Sequence, residues 1–149
     1  MSKNPSSQKT RKNLELKLVG KSNSRFLYEL LQERNPVINI SHKKMPTYKQ
    51  HIKFVNSKPY SKWYIIFYNN KKSGTIYLSK QDEVGLFIKK EMQGLGIGQK
   101  ALKLLMEYNP RERYLANTNP KNKNSIKFFK KNGFMLLQHT FELTTPRVS

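Results

Sequence analysis

The sequence predicts an α/β protein with a mixed, mostly antiparallel sheet of six to seven strands flanked by about four helices. Three observations predict this class. Extended apolar runs and amphipathic segments follow one another in the order β-α-α-β-β-β-α-β-α-β. The aromatic run 63–68 and the run 75–78 are joined by a turn at 69–74, which indicates a hairpin. The run 84–88 leads through a glycine-rich bend into a helix.

The amino-terminal end is predicted to be a basic tail followed by a strand. Residues 1–12 carry lysine and arginine without any acid, so a disordered tail is expected. Residues 13–19 alternate polar and apolar side chains, which is typical of a half-buried strand. Because 149 residues suffice for one respectable core, residues 13–149 are expected to form a single domain.

Two helices are predicted between this strand and the hairpin. The first is capped by Ser22 or Ser24 and stops at Asn35-Pro36, after which 37–40 forms a short extended piece. The second begins at the capping box 47–50, in which a threonine precedes a glutamine by three residues. Both helices carry apolar side chains on one face, so both are expected to pack on the sheet.

The carboxy-terminal half is predicted to alternate helices and strands. Residues 97–108 form an amphipathic helix, and 114–117 form a strand. A further helix is capped by Asn122 and closed by Asn132-Gly133 as a left-handed C-cap. Residues 134–143 are expected to be the last strand.

The glycine-rich segment 91–98 is the most informative feature of the chain. A strand, a glycine bend and a helix start together expose main-chain N–H groups at the positive end of a helix dipole. We therefore expect a phosphate-bearing molecule to bind there. The segment is not a P-loop, because no Gly-Lys-Ser/Thr follows. It is also a poor dinucleotide fingerprint, because the next strand ends in Asn117 rather than an acid.

Two segments resemble motifs of the GNAT acetyltransferase superfamily. Residues 93–98, Gln-Gly-Leu-Gly-Ile-Gly, are similar to the loop that holds the pyrophosphate of acetyl-CoA in that family. Residues 122–134 resemble its Asn-x-x-Ala-(x)3-Tyr-x-x-x-Gly-Phe stretch. The likeness extends more loosely over 13–143. It implies an acetyl-CoA-dependent N-acetyltransferase that moves the acetyl group to a primary amine by direct attack in a ternary complex.

The resemblance also implies a set of cofactor-binding residues. The pantetheine arm would pair with the main chain of the strand, and a strand N–H would stabilise the oxyanion. Phe129 stands where the family carries a tyrosine that often protonates the departing thiolate, so the group that does this is unassigned. The expected cofactor contacts are Leu86, Phe87, Ile88, Gln93, Gly94, Leu95, Gly96, Ile97, Gly98, Gln99, Asn119, Asn122 and Phe129.

Three further residues are candidates for the chemistry and the acceptor. Glu83, at the mouth of the thioester-holding strand, is the candidate base, acting through water; the alternative is a strand-end glutamate that balances nearby lysines. His51 and Tyr77 are candidate acceptor contacts, and a structural role is the alternative for each.

The net charge of +20 restricts the acceptor. No acid lies between Glu33 and Asp82 or between Glu112 and Glu142, so the chain is poorly suited to polyamines or lysine-rich tails. A small anionic amine, such as a nucleotide-linked amino sugar, fits better. The alternatives are a basic nucleic-acid-binding protein, or a protein N-terminal or lysine acetyltransferase. Weak, non-specific polyanion binding is expected in either case.

Several classes of protein and site are not expected. There is no cysteine, so disulfide and thiolate chemistry are excluded, and no His/Asp/Glu group has metal-ligand spacing. No apolar run reaches the ~20 residues that span a membrane, and the polar, lysine-rich start is unlike a secretory signal. A cytoplasmic protein without a membrane partner is expected, and a homodimer is left open.

Overall fold

The computed structural model describes residues 13–34 and 44–146. The predicted tail 1–12 and the predicted extended piece 37–40 lie outside the described residues. Within the described part, no helix combines the length and the apolarity that crossing a lipid bilayer requires.

The core of the fold is a four-stranded antiparallel sheet. Its strands are β1 (Leu14–Leu18), β2 (Lys62–Tyr68), β3 (Lys71–Leu78) and β4 (Val84–Ile88), in the spatial order β1-β2-β3-β4. The β2–β3 hairpin turns at Asn69 and Asn70, with φ of 50° and 64°. A turn with two left-handed residues matches the twist of its flanking strands, and asparagine tolerates that conformation well. The turn is thus shorter than the predicted 69–74.

Within residues 13–34 and 44–146, four α-helices cover the two faces of the sheet. They are α1 (Ser24–Glu33), α2 (Tyr48–Asn56), α3 (Ile97–Tyr108) and α4 (Lys123–Lys131). Because successive strand residues point to opposite faces, the sheet supplies two separate cores. The α1/α2 face buries Leu27, Leu30, Val55 and Ile65. The α3/α4 face buries a larger set that includes Ile66, Ile76, Leu78, Leu105 and Phe129.

The helix starts follow the predicted chemistry in part. The capping box of α2 is confirmed, since the Gln50 N–H donates to Thr47 Oγ1 at 3.1 Å and the Thr47 N–H donates to Gln50 Oε1 at 2.9 Å. The N-cap of α1 was predicted wrongly. Its N-cap residue is Asn23, at the end of a short 3₁₀ turn, rather than Ser22 or Ser24.

The described residues form four strands, not the six to seven predicted. In the segment 114–117, only Leu115 is bridged to the sheet, by a parallel pairing with Glu83. The Val84 N–H donates to Leu115 O at 2.7 Å and the Leu115 N–H to Asp82 O at 2.9 Å. No continuing ladder follows, so this segment leaves the sheet as soon as it reaches it.

The predicted strand 134–143 is also absent, since residues 134–146 form no helix or strand. Large apolar side chains there face solvent; Met135 is 88% exposed and Phe141 is 91% exposed. An alternating pattern becomes a strand only where it pairs with a neighbouring edge, and residues 134–146 pair with no strand among the described residues.

Candidate functional site

One edge of β4 is open. The Ser79 N–H donates to Glu83 O and the Lys89 N–H to Ser73 O, both at 2.9 Å, so positions 83 and 89 pair with β3. Alternation along an antiparallel strand then turns the main-chain groups of Gly85 and Phe87 toward β3 and those of Leu86 outward. The segment that follows Leu115 leaves the sheet, so a gap opens beside β4 beyond the Glu83–Leu115 bridge. The Leu86 N–H faces this gap.

A solvent-exposed glycine loop follows β4. Gly94 and Gly96 have φ of 84° and 76°, in the left-handed region that favours glycine. A Cβ added at either position would meet no atom within 4 Å. The two glycines are therefore required by the backbone conformation, and open space lies beside them.

The main-chain donors of this loop and of the first turn of α3 are available to a ligand. The Gln93 N–H donates to Lys90 O at 3.3 Å, and the first bond within α3 runs from the Lys100 N–H to Gly96 O at 3.3 Å. Among the described residues, the N–H groups of positions 94 to 99 have no acceptor. Such a row of donors at a helix start, with the positive end of its dipole, is suited to bind an anion.

Helix α3 is held close to β4 by packing. Ile97 is 2% exposed and anchors the first turn in the core. A Cβ at Gly98 would lie 3.2 Å from the side chains of both Leu86 and Phe128, so the helix packs tightly against the strand at this glycine. This packing places the row of donors beside the open edge of β4.

The acid nearest the glycine loop is paired. The Glu91 carboxylate forms an ion pair with Lys89, with 2.9 Å between Glu91 Oε1 and Lys89 Nζ. The hydrogen bond from Lys89 lowers the pKa of Glu91, and the same hydrogen bond raises the pKa of Lys89. The lysine therefore compensates the charge that would otherwise repel an anion bound to the loop.

A cavity of about 390 Å³ lies on the opposite face of β4, between the sheet and helices α1 and α2. Its lining brings together four residues singled out from the sequence, namely His51, Tyr77, Leu86 and Phe87. The rest of the lining is mainly apolar, with further aromatic rings from Phe54, Tyr60 and Trp63.

A pair of stacked tyrosines forms one wall of this cavity. The rings of Tyr60 and Tyr77 lie 3.7 Å apart and 5° from parallel. Burial, followed by the influence of Tyr77, raises the pKa of Tyr60 far above its usual range, so its hydroxyl keeps its proton at physiological pH. A Cβ at Gly85 would overlap the Tyr77 ring, which shows that the ring lies directly over the strand.

The sequence from residue 24 to residue 134 matches the family model described as the acetyltransferase (GNAT) family. The chain belongs to the GNAT acetyltransferase family. It is accordingly an N-acetyltransferase by family. A search of curated protein sequences finds no match to this chain.

Solved structures share the GNAT fold with this chain at low identity. A ribosomal L7/L12 alpha-N-protein acetyltransferase, RimL, solved with coenzyme A, has a TM-score of 0.69 at 20% identity, over 85% of this chain and 82% of that one. A domain from Methanocaldococcus jannaschii gives a TM-score of 0.72 at 21% identity, over 87% and 92%. The spermidine/spermine N-acetyltransferase SpeG from Vibrio cholerae gives 0.68 at 16% identity, over 85% and 82%.

Glu83, the candidate base of this GNAT protein, lies at the start of β4. Its carboxylate accepts the Ser79 hydroxyl at 3.1 Å and the Asn117 amide at 2.5 Å. It does not line the cavity. Alternation nevertheless places it on the face of β4 that also carries Gly85 and Phe87, beyond the Tyr77 ring.

The remaining GNAT motif residues have structural contacts. Asn122 caps α4, its Oδ1 accepting the Ser125 N–H at 3.2 Å, and Asn119 Oδ1 accepts the Lys121 N–H at 2.9 Å. Phe129 is 8% exposed and packs edge-on against Phe128, so it belongs to the α3/α4 core. Their contacts with a cofactor stay predictions.

Two residues that line the cavity, Tyr60 and Arg34, were not identified as candidates from the sequence. Tyr60 precedes β2 in a loop, where no periodicity marks it, and Arg34 follows the last turn of α1. Only the density of aromatic residues between 54 and 68 could have drawn attention to Tyr60. Among the described residues, no group of three or more His, Asp or Glu side chains could hold a metal ion.

Proposed function

We propose that this GNAT protein uses acetyl-CoA to acetylate a small anionic primary amine, by direct attack of the amine within a ternary complex. The observation that carries the proposal is the row of main-chain N–H groups at 94 to 99, packed against the open edge of β4, with an aromatic-lined cavity on one face of the same strand. One strand thus lies between an anion site and a pocket of small-molecule size.

The residues present fit acetyl-CoA. Open space beside Gly94 and Gly96 admits phosphate oxygens close to the main chain, and the donors at positions 94 to 99 would hold the diphosphate. Acetyl-CoA supplies an acetyl group activated as a thioester. The Leu86 N–H is oriented to donate a hydrogen bond to a carbonyl oxygen in the gap, and removal of one such donor elsewhere costs roughly 3–4 kcal/mol of barrier.

Charge and cavity lining support an anionic acceptor. All nine acidic residues lie in the described part of the chain, and none of them lines the cavity. Polyamines carry several positive charges, so a cavity without a carboxylate suits them poorly. A nucleotide-linked amino sugar belongs to the proposed class, and protein N-termini, the substrates suggested by the RimL likeness, are the competing class.

A nucleic-acid-binding role is less well supported. Tyr64 and Phe129 are buried, and Trp63 and Phe128 are half-buried, so these rings do not form an exposed stacking surface. We retain a cytoplasmic location, a single domain over 13–149 and a homodimer as proposals. A SpeG structure from Vibrio cholerae is described as dodecameric.

Two measurements test the proposed function. Isothermal titration is expected to show acetyl-CoA binding at micromolar concentrations, and a thiol reagent is expected to detect CoA release only when an amine is added. Since the chain has no cysteine, the reagent reacts with CoA alone. No binding at millimolar acetyl-CoA would refute the proposal, as would binding without transfer to any amine in a broad panel.

Glu83→Gln is expected to lower kcat by about a hundredfold or more, because general acid–base groups typically contribute that much. Glutamine has nearly the same shape: its Oε1 can still accept the Ser79 hydroxyl, and its Nε2 can donate to Asn117 after the Asn117 amide flips, while the basic carboxylate is removed. Steady-state kinetics with acetyl-CoA titration would measure the effect, and the exposed Glu112→Gln serves as the control. An unchanged kcat would remove Glu83 from the mechanism.

A further inference from the structure

Among the described residues, Arg34 is the one charged side chain in the lining of the cavity. The guanidinium of Arg34 lies over the Phe87 ring, 5.2 Å from its centroid. It is also close enough to Tyr60 to lower the pKa of that hydroxyl slightly against the dominant effect of burial. Arg34 therefore lies where the aromatic wall of the cavity meets β4, at Phe87.

No acidic side chain neutralises Arg34. The neighbouring Glu33 is engaged elsewhere, since its Oε1 accepts the Lys90 N–H at 2.9 Å. Segment 35–43 contains no Asp or Glu, and none of the chain's nine acids lines the cavity. A guanidinium left without a carboxylate at the wall of an apolar cavity is suited to bind a carboxylate or phosphate in a forked geometry.

The other lining groups favour a flat, apolar body. Five aromatic side chains besides His51 line the cavity: Phe54, Tyr60, Trp63, Tyr77 and Phe87. Thr75 offers little polar capacity, since its hydroxyl already accepts from Trp63 Nε1 and donates to Tyr64 O, both at 2.8 Å. Aromatic rings pack favourably against other rings, so the preferred ligand body is planar.

We propose that the acceptor is a small primary amine that carries both a planar ring and one anionic group, with the ring among the aromatic side chains and the anion on Arg34. This rests on the proposed function and narrows its substrate class. The amine nitrogen forms a bond to the acetyl carbon while the carbon–sulfur bond breaks. The electron pair leaves on sulfur, and the proton lost by nitrogen balances the CoA thiol that is released.

The size of the cavity agrees with this class. About 390 Å³ is near the lower end of small-molecule sites, which span roughly 300–1,000 Å³. One ring with a short arm fills such a space, whereas a folded protein surface cannot enter it. Because Arg34 lies over Phe87, the residue after Leu86, the anion and the reacting amine belong within one compact molecule.

Binding can be tested separately from transfer, because the only tryptophan of the chain, Trp63, lines the cavity. Its fluorescence is titrated with two matched pairs: phenylalanine against phenethylamine, and para-aminomethylbenzoate against benzylamine. The member with a carboxylate is expected to bind at least about tenfold more tightly in each pair. Alanine, which keeps the anion and lacks the ring, is expected to bind more weakly than phenylalanine.

Arg34→Gln is expected to abolish the preference for the carboxylate while leaving the affinity for benzylamine within about twofold. Arg25→Gln is the matched control, because Arg25 also lies over an aromatic ring, that of Tyr48, but does not line the cavity. In transfer assays, Arg34→Gln is expected to raise the KM for the carboxylate-bearing acceptor and to leave the KM for acetyl-CoA unchanged.

The inference would be overturned if, in each pair, the amine with a carboxylate and the amine without one bound with equal affinity. Preferential acetylation of spermidine, or of a peptide with an amino-terminal serine, would also overturn it. The fluorescence result does not depend on acetyl-CoA. Failure of the proposed function would instead appear as absent acetyl-CoA binding, which leaves the preference at Arg34 measurable.

Discussion

Gly96→Asp is expected to weaken acetyl-CoA binding by on the order of a hundredfold, while Gly96→Asn weakens it far less. A carboxylate about 5 Å from a phosphate charge is opposed by roughly 3 kcal/mol at an effective dielectric of 20. Asparagine and aspartate have nearly the same shape, and both tolerate the left-handed conformation that Gly96 adopts at φ 76°. Titration calorimetry on the two variants therefore isolates charge from backbone strain.

The control for this pair is Gly133→Asp. Gly133 also has a left-handed backbone, at φ 92°, and a Cβ there would meet nothing within 4 Å. It closes α4 and lies outside the glycine loop, so it should leave acetyl-CoA affinity within about twofold. Equal affinities of Gly96→Asp and Gly96→Asn would mean that no anion binds beside position 96.

Gly85→Ala is expected to reduce kcat/KM for the acceptor by about tenfold or more and to leave acetyl-CoA affinity nearly unchanged. The added Cβ would overlap the Tyr77 ring, so the ring must leave its stack with Tyr60 and enter the cavity. Overpacking of this kind costs typically 1–3 kcal/mol. The main-chain groups of Gly85 face β3, so the open edge of β4 is not altered directly.

A second substitution separates the cavity from general damage to the fold. Gly85→Ala combined with Tyr77→Leu removes the overlapping ring and should restore thermal stability but not the stacked wall. Gly20→Ala is the neutral reference, because the nearest atom to its Cβ is 4.0 Å away. If Gly85→Ala alone changes neither stability nor acceptor kinetics, Tyr77 does not shape the acceptor site.

Local chemistry made the helices and the glycine loop predictable. The capping box at Thr47, the glycines before Ile97 and the asparagine at 122 each act on their immediate neighbours, and all three features appear where the sequence places them. The acceptor candidates His51 and Tyr77 reach the same cavity because both sit on regular elements whose inward faces follow from periodicity.

Long-range pairing was not predictable in the same way. Segments 114–117 and 134–143 have strand-like composition, but a strand exists only where another edge receives it, and composition contains no information about that edge. Tyr60 and Arg34 were missed for a related reason. Each lies just outside a regular element, where a pattern of alternation or helical periodicity says nothing about its direction.

The proposed binding of two ligands at adjacent residues of β4 has a thermodynamic consequence. In the proposed ternary complex, the main chain of Leu86 would face acetyl-CoA, while the ring of Phe87, the next residue, would face the acceptor. A small shift of the strand caused by the first ligand must alter the affinity for the second, and the coupling free energy is the same in both directions. Binding of one substrate is thus expected to change the affinity for its co-substrate by the same factor, whichever of the two binds first.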